Sequence, residues 1–182
     1  MRLLVVFLLM GAAAVMLPVV LVYSGAFDVA ADVPHSALVY ATLRTIRDRS
    51  IAARAKQIRV PPLDDPQQVA AGARHYADMC SNCHLAPDMK SSEIRDGLYP
   101  KPPNLAQGVE ASPAEMFWVI KHGIRMSAMP AWGLTHDDES IWSIVGFLQT
   151  LPKLTPDQYR ALVSTGDEAH HHYHSHTHQR DK

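Results

Sequence analysis

From Leu3 to Val22 the chain is apolar and uncharged, 20 residues in succession. As a helix rising ~1.5 Å per residue this run covers roughly 30 Å, the hydrocarbon thickness of a bilayer. The pattern predicts a single membrane-spanning helix. Gly11 and Pro18 fit inside it provided local backbone adjustments re-satisfy the freed polar groups. A cleaved signal peptide is the competing reading, since Ser24-Gly25-Ala26 passes as a small-residue cleavage site. Signal h-regions run about 7–15 residues, however, so the length favours an uncleaved anchor.

Beyond the anchor the apolar positions recur at helical spacing. Ser36 to Gln57 reads as one helix, with Ser36 as N-cap, Val39, Leu43 and Ile46 on one stripe, and Pro61-Pro62 as its stop. Asp65-Pro66 opens a second helix running to Met79, with an acidic cap and proline at the first helical position. Leu85 to Gly108 is rich in Gly, Pro and Asn and reads as irregular loop. Ser112-Pro113-Ala114-Glu115 is a capping box that starts a helix carrying Met116, Phe117, Val119 and Ile120 and ending at Gly123. A helix from Thr135 to Thr150 carries Ile141, Trp142, Ile144, Val145 and Leu148. Thr155-Pro156-Asp157-Gln158 is a second capping box, opening a short helix to about Val163. Every element is helical, so the fold class is all-α.

Charge adds orientation. Arg2 precedes the span, whereas Tyr23 to Leu43 holds no Lys or Arg but does hold Asp28 and Asp32. The positive-inside rule therefore places the N-terminus in the cytoplasm and exports the rest. The formal net charge of −1 gives no basic field that would draw nucleic acid. Locally, Arg44, Arg47, Arg49, Arg54, Lys56 and Arg59 face only Asp48. This basic helix suits anionic headgroups or an acidic partner, but a solvated spacer explains the same charges.

The chemistry concentrates in Cys80-Ser81-Asn82-Cys83-His84, which holds the chain's only two cysteines. C-x-x-C followed by histidine is the pattern of c-type haem attachment: each thiol adds to one vinyl group, and the adjacent imidazole becomes the proximal iron ligand. A thioredoxin-like redox pair needs a βαβ setting that the pattern lacks, and a zinc site needs more Cys or nearby His. One such motif implies one covalent haem c.

Around this motif the chain resembles the class I monohaem cytochromes c, in the branch found with terminal oxidases and dehydrogenases. Gly72 and Tyr76, eight and four residues before Cys80, match that family's glycine and aromatic. The resemblance implies that the first helix crosses the last at Gly72 against an aromatic ring, with Phe147 expected as that ring. Pro103-Asn104-Leu105 resembles the loop in which a proline carbonyl accepts from the proximal histidine's Nδ1 and a leucine packs on the haem face. Gly123 to Gly133 holds Met126 and Met129. Met129, in a Met-Pro pair followed by small and aromatic residues, stands where the family keeps its sixth ligand, with Met126 as the rival. A thioether opposite imidazole raises the reduction potential. Arg125, Lys121 and Trp132, close to that ligand in sequence, are candidates for the haem propionates.

The implied function is electron transfer by a membrane-anchored protein, with the haem domain periplasmic to a bacterial cytoplasmic membrane. Its partners would be an oxidase, a dehydrogenase or another cytochrome, and it is an electron carrier rather than an enzyme. Two other readings stay open: a haem-based small-molecule sensor in which Met129 is displaced, and metal handling by the tail. Gly166 onward is polar, and His170, His171, His172, His174, His176 and His178 form a dense imidazole set suited to Cu, Ni or Zn. The expected organisation is an anchor over 1–25, a linker with the basic helix over 26–63, the haem domain over 64–163 and a disordered tail over 164–182.

Overall fold

The structure, a computed structural model, describes residues 2–26 and 28–165. Among these residues every regular element is helical and none is a strand. The chain divides into two compact units between Pro34 and His35.

The first unit is one helix, α1 (Arg2–Tyr23), 22 residues long with Pro18 inside and no residue buried. Its length and composition suffice to cross a membrane. Ser24 closes it, its hydroxyl donating to the Leu21 carbonyl at 3.0 Å.

The second unit begins with α2 (Ala37–Ala55), capped by the Ser36 side chain, which accepts from the Val39 amide. Ala55 is buried, and the Arg54 guanidinium lies 5.8 Å from the centre of the Trp118 ring. α3 (Pro66–Met79) starts on the Asp65 cap with proline in its first turn. One-turn helices α4 (Ser81–His84) and α5 (Glu93–Asp96) follow. α6 (Pro113–His122) opens on a complete Ser112/Glu115 capping box and stops at Gly123, whose φ is +65°. α7 (Asp138–Thr150) is capped by Asp137. It begins three residues later than its periodicity suggests, because Trp132–Leu134 forms a 3-10 turn and Thr135 serves as that turn's C-cap. A last helix, α8, covers 156–165, with Thr155 and Gln158 in reciprocal capping bonds.

The α3–α7 crossing organises the core. A Cβ on Gly72 would lie 2.0 Å from the Ser143 carbonyl oxygen and 2.9 Å from the Ile144 nitrogen. Only glycine permits that approach, and what it admits is helix backbone. The Phe147 ring packs on Tyr76, with centroids 5.3 Å apart, and on Tyr159. α7 presents its backbone to Gly72 at Ser143–Ile144, and Phe147, one helical turn later, meets Tyr76. Ile141, Ile144, Val145 and Leu151 complete a fully enclosed centre.

Candidate haem site

α3 delivers the chain into the cysteine motif without a break. Its C-cap is Cys80, whose amide donates to the Tyr76 carbonyl at 2.9 Å. The Cys83 and His84 amides both donate to the Cys80 carbonyl, so the two thiols and the imidazole share one tight helical turn. Both cysteines are free thiols, Cys80 buried and Cys83 half-buried. Burial, followed by the neighbouring Cys83, pushes the Cys80 thiol up to about 12. A redox-active pair needs a depressed thiol pKa, so this environment argues against thioredoxin-like exchange.

Leu85 follows at φ +64°, a region that L side chains rarely adopt, and is only 1% exposed. Such a conformation costs on the order of 1–3 kcal/mol and persists where the surroundings over-determine it. Here the Tyr76 hydroxyl donates to the Leu85 carbonyl at 2.5 Å, tying the end of the motif to the α3–α7 core.

The His84 Nδ1 lies 3.0 Å from the Pro103 carbonyl oxygen. A carbonyl only accepts, so Nδ1 carries the proton and donates it, leaving Nε2 with its lone pair. Burial lowers the His84 pKa and the Arg95 charge works the same way, while the Pro103 bond opposes them. The side chain is thereby held as a neutral imidazole with one nitrogen free, which is the form a metal takes. Asn104 braces the following turn by accepting from the Ala106 amide at 3.0 Å, and Leu105 packs against the buried core cluster.

The two candidate methionines have opposite environments. Met126 is 98% exposed, with φ +57°. Met129 is half-buried and packs against the cluster that includes Cys80. The loop is closed by Ile124, whose amide donates to the Met129 carbonyl at 3.2 Å, and by Gly123, where a Cβ would sit 2.6 Å from that same oxygen. Trp132 also packs against the cluster and meets the His136 ring edge-on. Lys121 is committed elsewhere, its Nζ 2.6 Å from Asp138, and Arg125 is exposed.

Sequence reasoning missed Arg95. It donates from Nη2 to the Pro102 carbonyl at 3.2 Å, and its Nε is buried without a hydrogen-bond partner. Its charge acts on His84, and its bond holds the residue next to the one that orients that imidazole. A lone arginine in a one-turn helix carries no motif, so only the fold reveals it. The six tail histidines, His170, His171, His172, His174, His176 and His178, lie outside the described residues.

Two thiols on one turn, a neutral imidazole with a free nitrogen, a half-buried methionine and an orphaned buried guanidinium nitrogen together fit a covalently held haem with its carboxylates. Such a set suits the site of a class I c-type cytochrome. Residues 67–148 match the family described as "Cytochrome C oxidase, cbb3-type, subunit III", and this segment is a class I monohaem cytochrome c domain. The matched stretch spans the cysteine motif, Pro103 and Met129, and ends near the close of α7. No curated protein matches the chain. The domain supports haem-based electron transfer, and α1 fits a membrane-spanning role.

Proposed function

We propose that the chain is a membrane-anchored, single-haem electron carrier or the cytochrome subunit of a respiratory or dehydrogenase complex, with its haem domain on the exported face of the membrane. The observation that carries this reading is the His84–Pro103 bond at 3.0 Å, because it fixes the tautomer that iron ligation requires. Cys80 and Cys83 would attach the cofactor, His84 Nε2 and the Met129 thioether would hold its iron, and Leu105 and Trp132 would exclude water from it. Arg95 would neutralise one of its carboxylates. When bound, haem would supply a one-electron couple, and a thioether ligand beside the imidazole would move it to higher potential. A loop closed by Gly123 and the Ile124–Met129 bond keeps the thioether in place, which suits electron transfer rather than ligand exchange. The partner is another redox protein, and the chain itself is not an enzyme.

Visible spectroscopy and potentiometry of the haem-loaded protein test the assignment. Met129→Leu should abolish the long-wavelength sulfur-to-iron charge-transfer band and lower the potential, while Met126→Leu should change neither. The reverse pattern would refute the ligand choice. Rapid stoichiometric CO binding by the ferrous wild type at neutral pH would favour a sensor over a carrier.

A further inference from the structure

The α2 helix exposes apolar surface that the rest of its unit leaves uncovered. Its C-terminal half packs inward through Ala55, with Ile51 and Ala52 half-buried. On another face Val39, Leu43 and Ile46 remain 44%, 49% and 60% exposed. At 100° per residue these three and Ala53 fall within a strip about 80° wide. Arg49 and Lys56 border the strip on one side, and Arg47 and Arg54 border it on the other.

These cations are poorly matched within the protein. Arg44 and Arg47 share Asp48 at 3.7 and 2.8 Å, and Arg54 leans on Trp118. Among the described residues Arg49, Lys56 and Arg59 have no carboxylate partner. A narrow apolar strip flanked on both sides by long basic side chains suits a surface that is apolar below and anionic above. The stems bury beside the strip while the charged heads reach phosphate. In sequence, only 13 residues separate the end of α1 from the start of α2, a short tether to any bilayer that α1 crosses.

We propose that this face of α2 is a membrane-interface anchor: Val39, Leu43, Ile46 and Ala53 bed into the headgroup–acyl boundary of an anionic bilayer, and Arg49 and Lys56 bind lipid phosphates. The inference rests on α1 being membrane-embedded. It goes beyond that reading by giving the haem-bearing unit a second attachment that fixes which of its sides faces the lipid. An acidic protein partner is the competing occupant. The lipid surface is favoured because the strip is linear and lies on a single helix, with no concave pocket of its own to register a shaped partner.

The test uses full-length haem-loaded protein in nanodiscs of phosphatidylcholine alone, or mixed with an equal part of phosphatidylglycerol. Nitroxide labels are placed at Ile46→Cys on the strip and at Ala41→Cys on the far face, and collision rates with oxygen and a water-soluble nickel chelate are measured. In anionic discs the Ile46 label should gain oxygen and lose nickel accessibility, while the Ala41 label stays aqueous. Replacing Arg49 and Lys56 by Gln should weaken the shielded state roughly fivefold per residue, and high salt should weaken it further. Nickel accessibility at Ile46 equal to that at Ala41 in anionic discs would overturn the proposal. So would equal shielding in both lipids, which would remove the anionic recognition, or immobilisation without oxygen access, which would indicate a protein contact. Protein that fails to co-elute with discs would refute the α1 anchor and this inference together; co-elution with an aqueous Ile46 label would refute this inference alone.

Discussion

Replacing Gly72 by Ala should cost more stability than any other single-methyl addition in the core. The new Cβ would lie 2.0 Å from the Ser143 oxygen, 2.4 Å from its carbonyl carbon and 2.9 Å from the Ile144 nitrogen. Reaching 3.4 Å, the near edge of ordinary contact, requires α3 and α7 to separate by about 1.4 Å at their crossing. All three atoms are helix backbone, so no rotamer change relieves the clash. A radial gap of even ~0.5–1 Å forfeits a quarter to a half of each dispersion contact, and Tyr76, Phe147, Ile144 and Val145 would all lose contacts across the opened seam. Alanine returns about 1 kcal/mol of helix propensity. Overpacking typically costs ~1–3 kcal/mol and should exceed that range here. The net expectation is a loss of about 3 kcal/mol, a fall in melting temperature on the order of 10 °C. Gly146→Ala is the matched control: its Cβ would meet the Leu63 oxygen at 3.1 Å, a few tenths of an ångström too close, and propensity should bring it within about 1 kcal/mol of wild type. Denaturant unfolding of the haem-loaded proteins measures both. Equal stabilities for the two variants, or a Gly72→Ala protein as stable as wild type, would refute backbone contact as the reason for glycine.

The Asp137 carboxyl caps α7 and is held below its usual pKa by the Ser140 hydroxyl and then the Ser140 amide. A depressed carboxyl stabilises the fold above its unfolded value of about 3.9 and loses that contribution as pH falls through the folded value. Asp137→Ala should therefore cost about 1 kcal/mol at neutral pH and little in strong acid, read by unfolding at several pH values. Arg95→Leu should lower the haem reduction potential, because a cation near the iron disfavours the ferric charge, and Arg95→Lys should retain most of the wild-type value; an unchanged potential in Arg95→Leu would place the guanidinium away from the cofactor. Deleting 166–182 should leave the haem spectrum and potential unchanged while reducing Cu(II) or Ni(II) binding in calorimetric titration, and equal metal uptake by both proteins would rule out the tail as the ligand set.

The sequence by itself determined what is local. Cys80, Cys83 and His84 state their chemistry within five residues, and the caps at Ser36, Asp65, Ser112/Glu115 and Thr155/Gln158 each satisfy orphan helix amides across three positions or fewer. The all-helical class and the apolar span followed from periodicity and length. Tertiary structure decided what depends on atoms far apart in the chain. Gly72 needs no side chain because Ser143, 71 residues later, brings its carbonyl there. The Met-Pro context favours Met129 over Met126 in sequence, but that Met129 is half-buried against the core while Met126 is left in solvent follows from the closure of the loop on Gly123. Arg95 is an ordinary arginine of a one-turn helix until Pro102 arrives beside it and Pro103 beside His84. The same holds for α2, whose periodicity shows a stripe but not which face the rest of the unit covers. Hydrogen-bond signals of short range are written residue by residue, whereas close approach and burial belong to pairs of elements and exist only once both are in place.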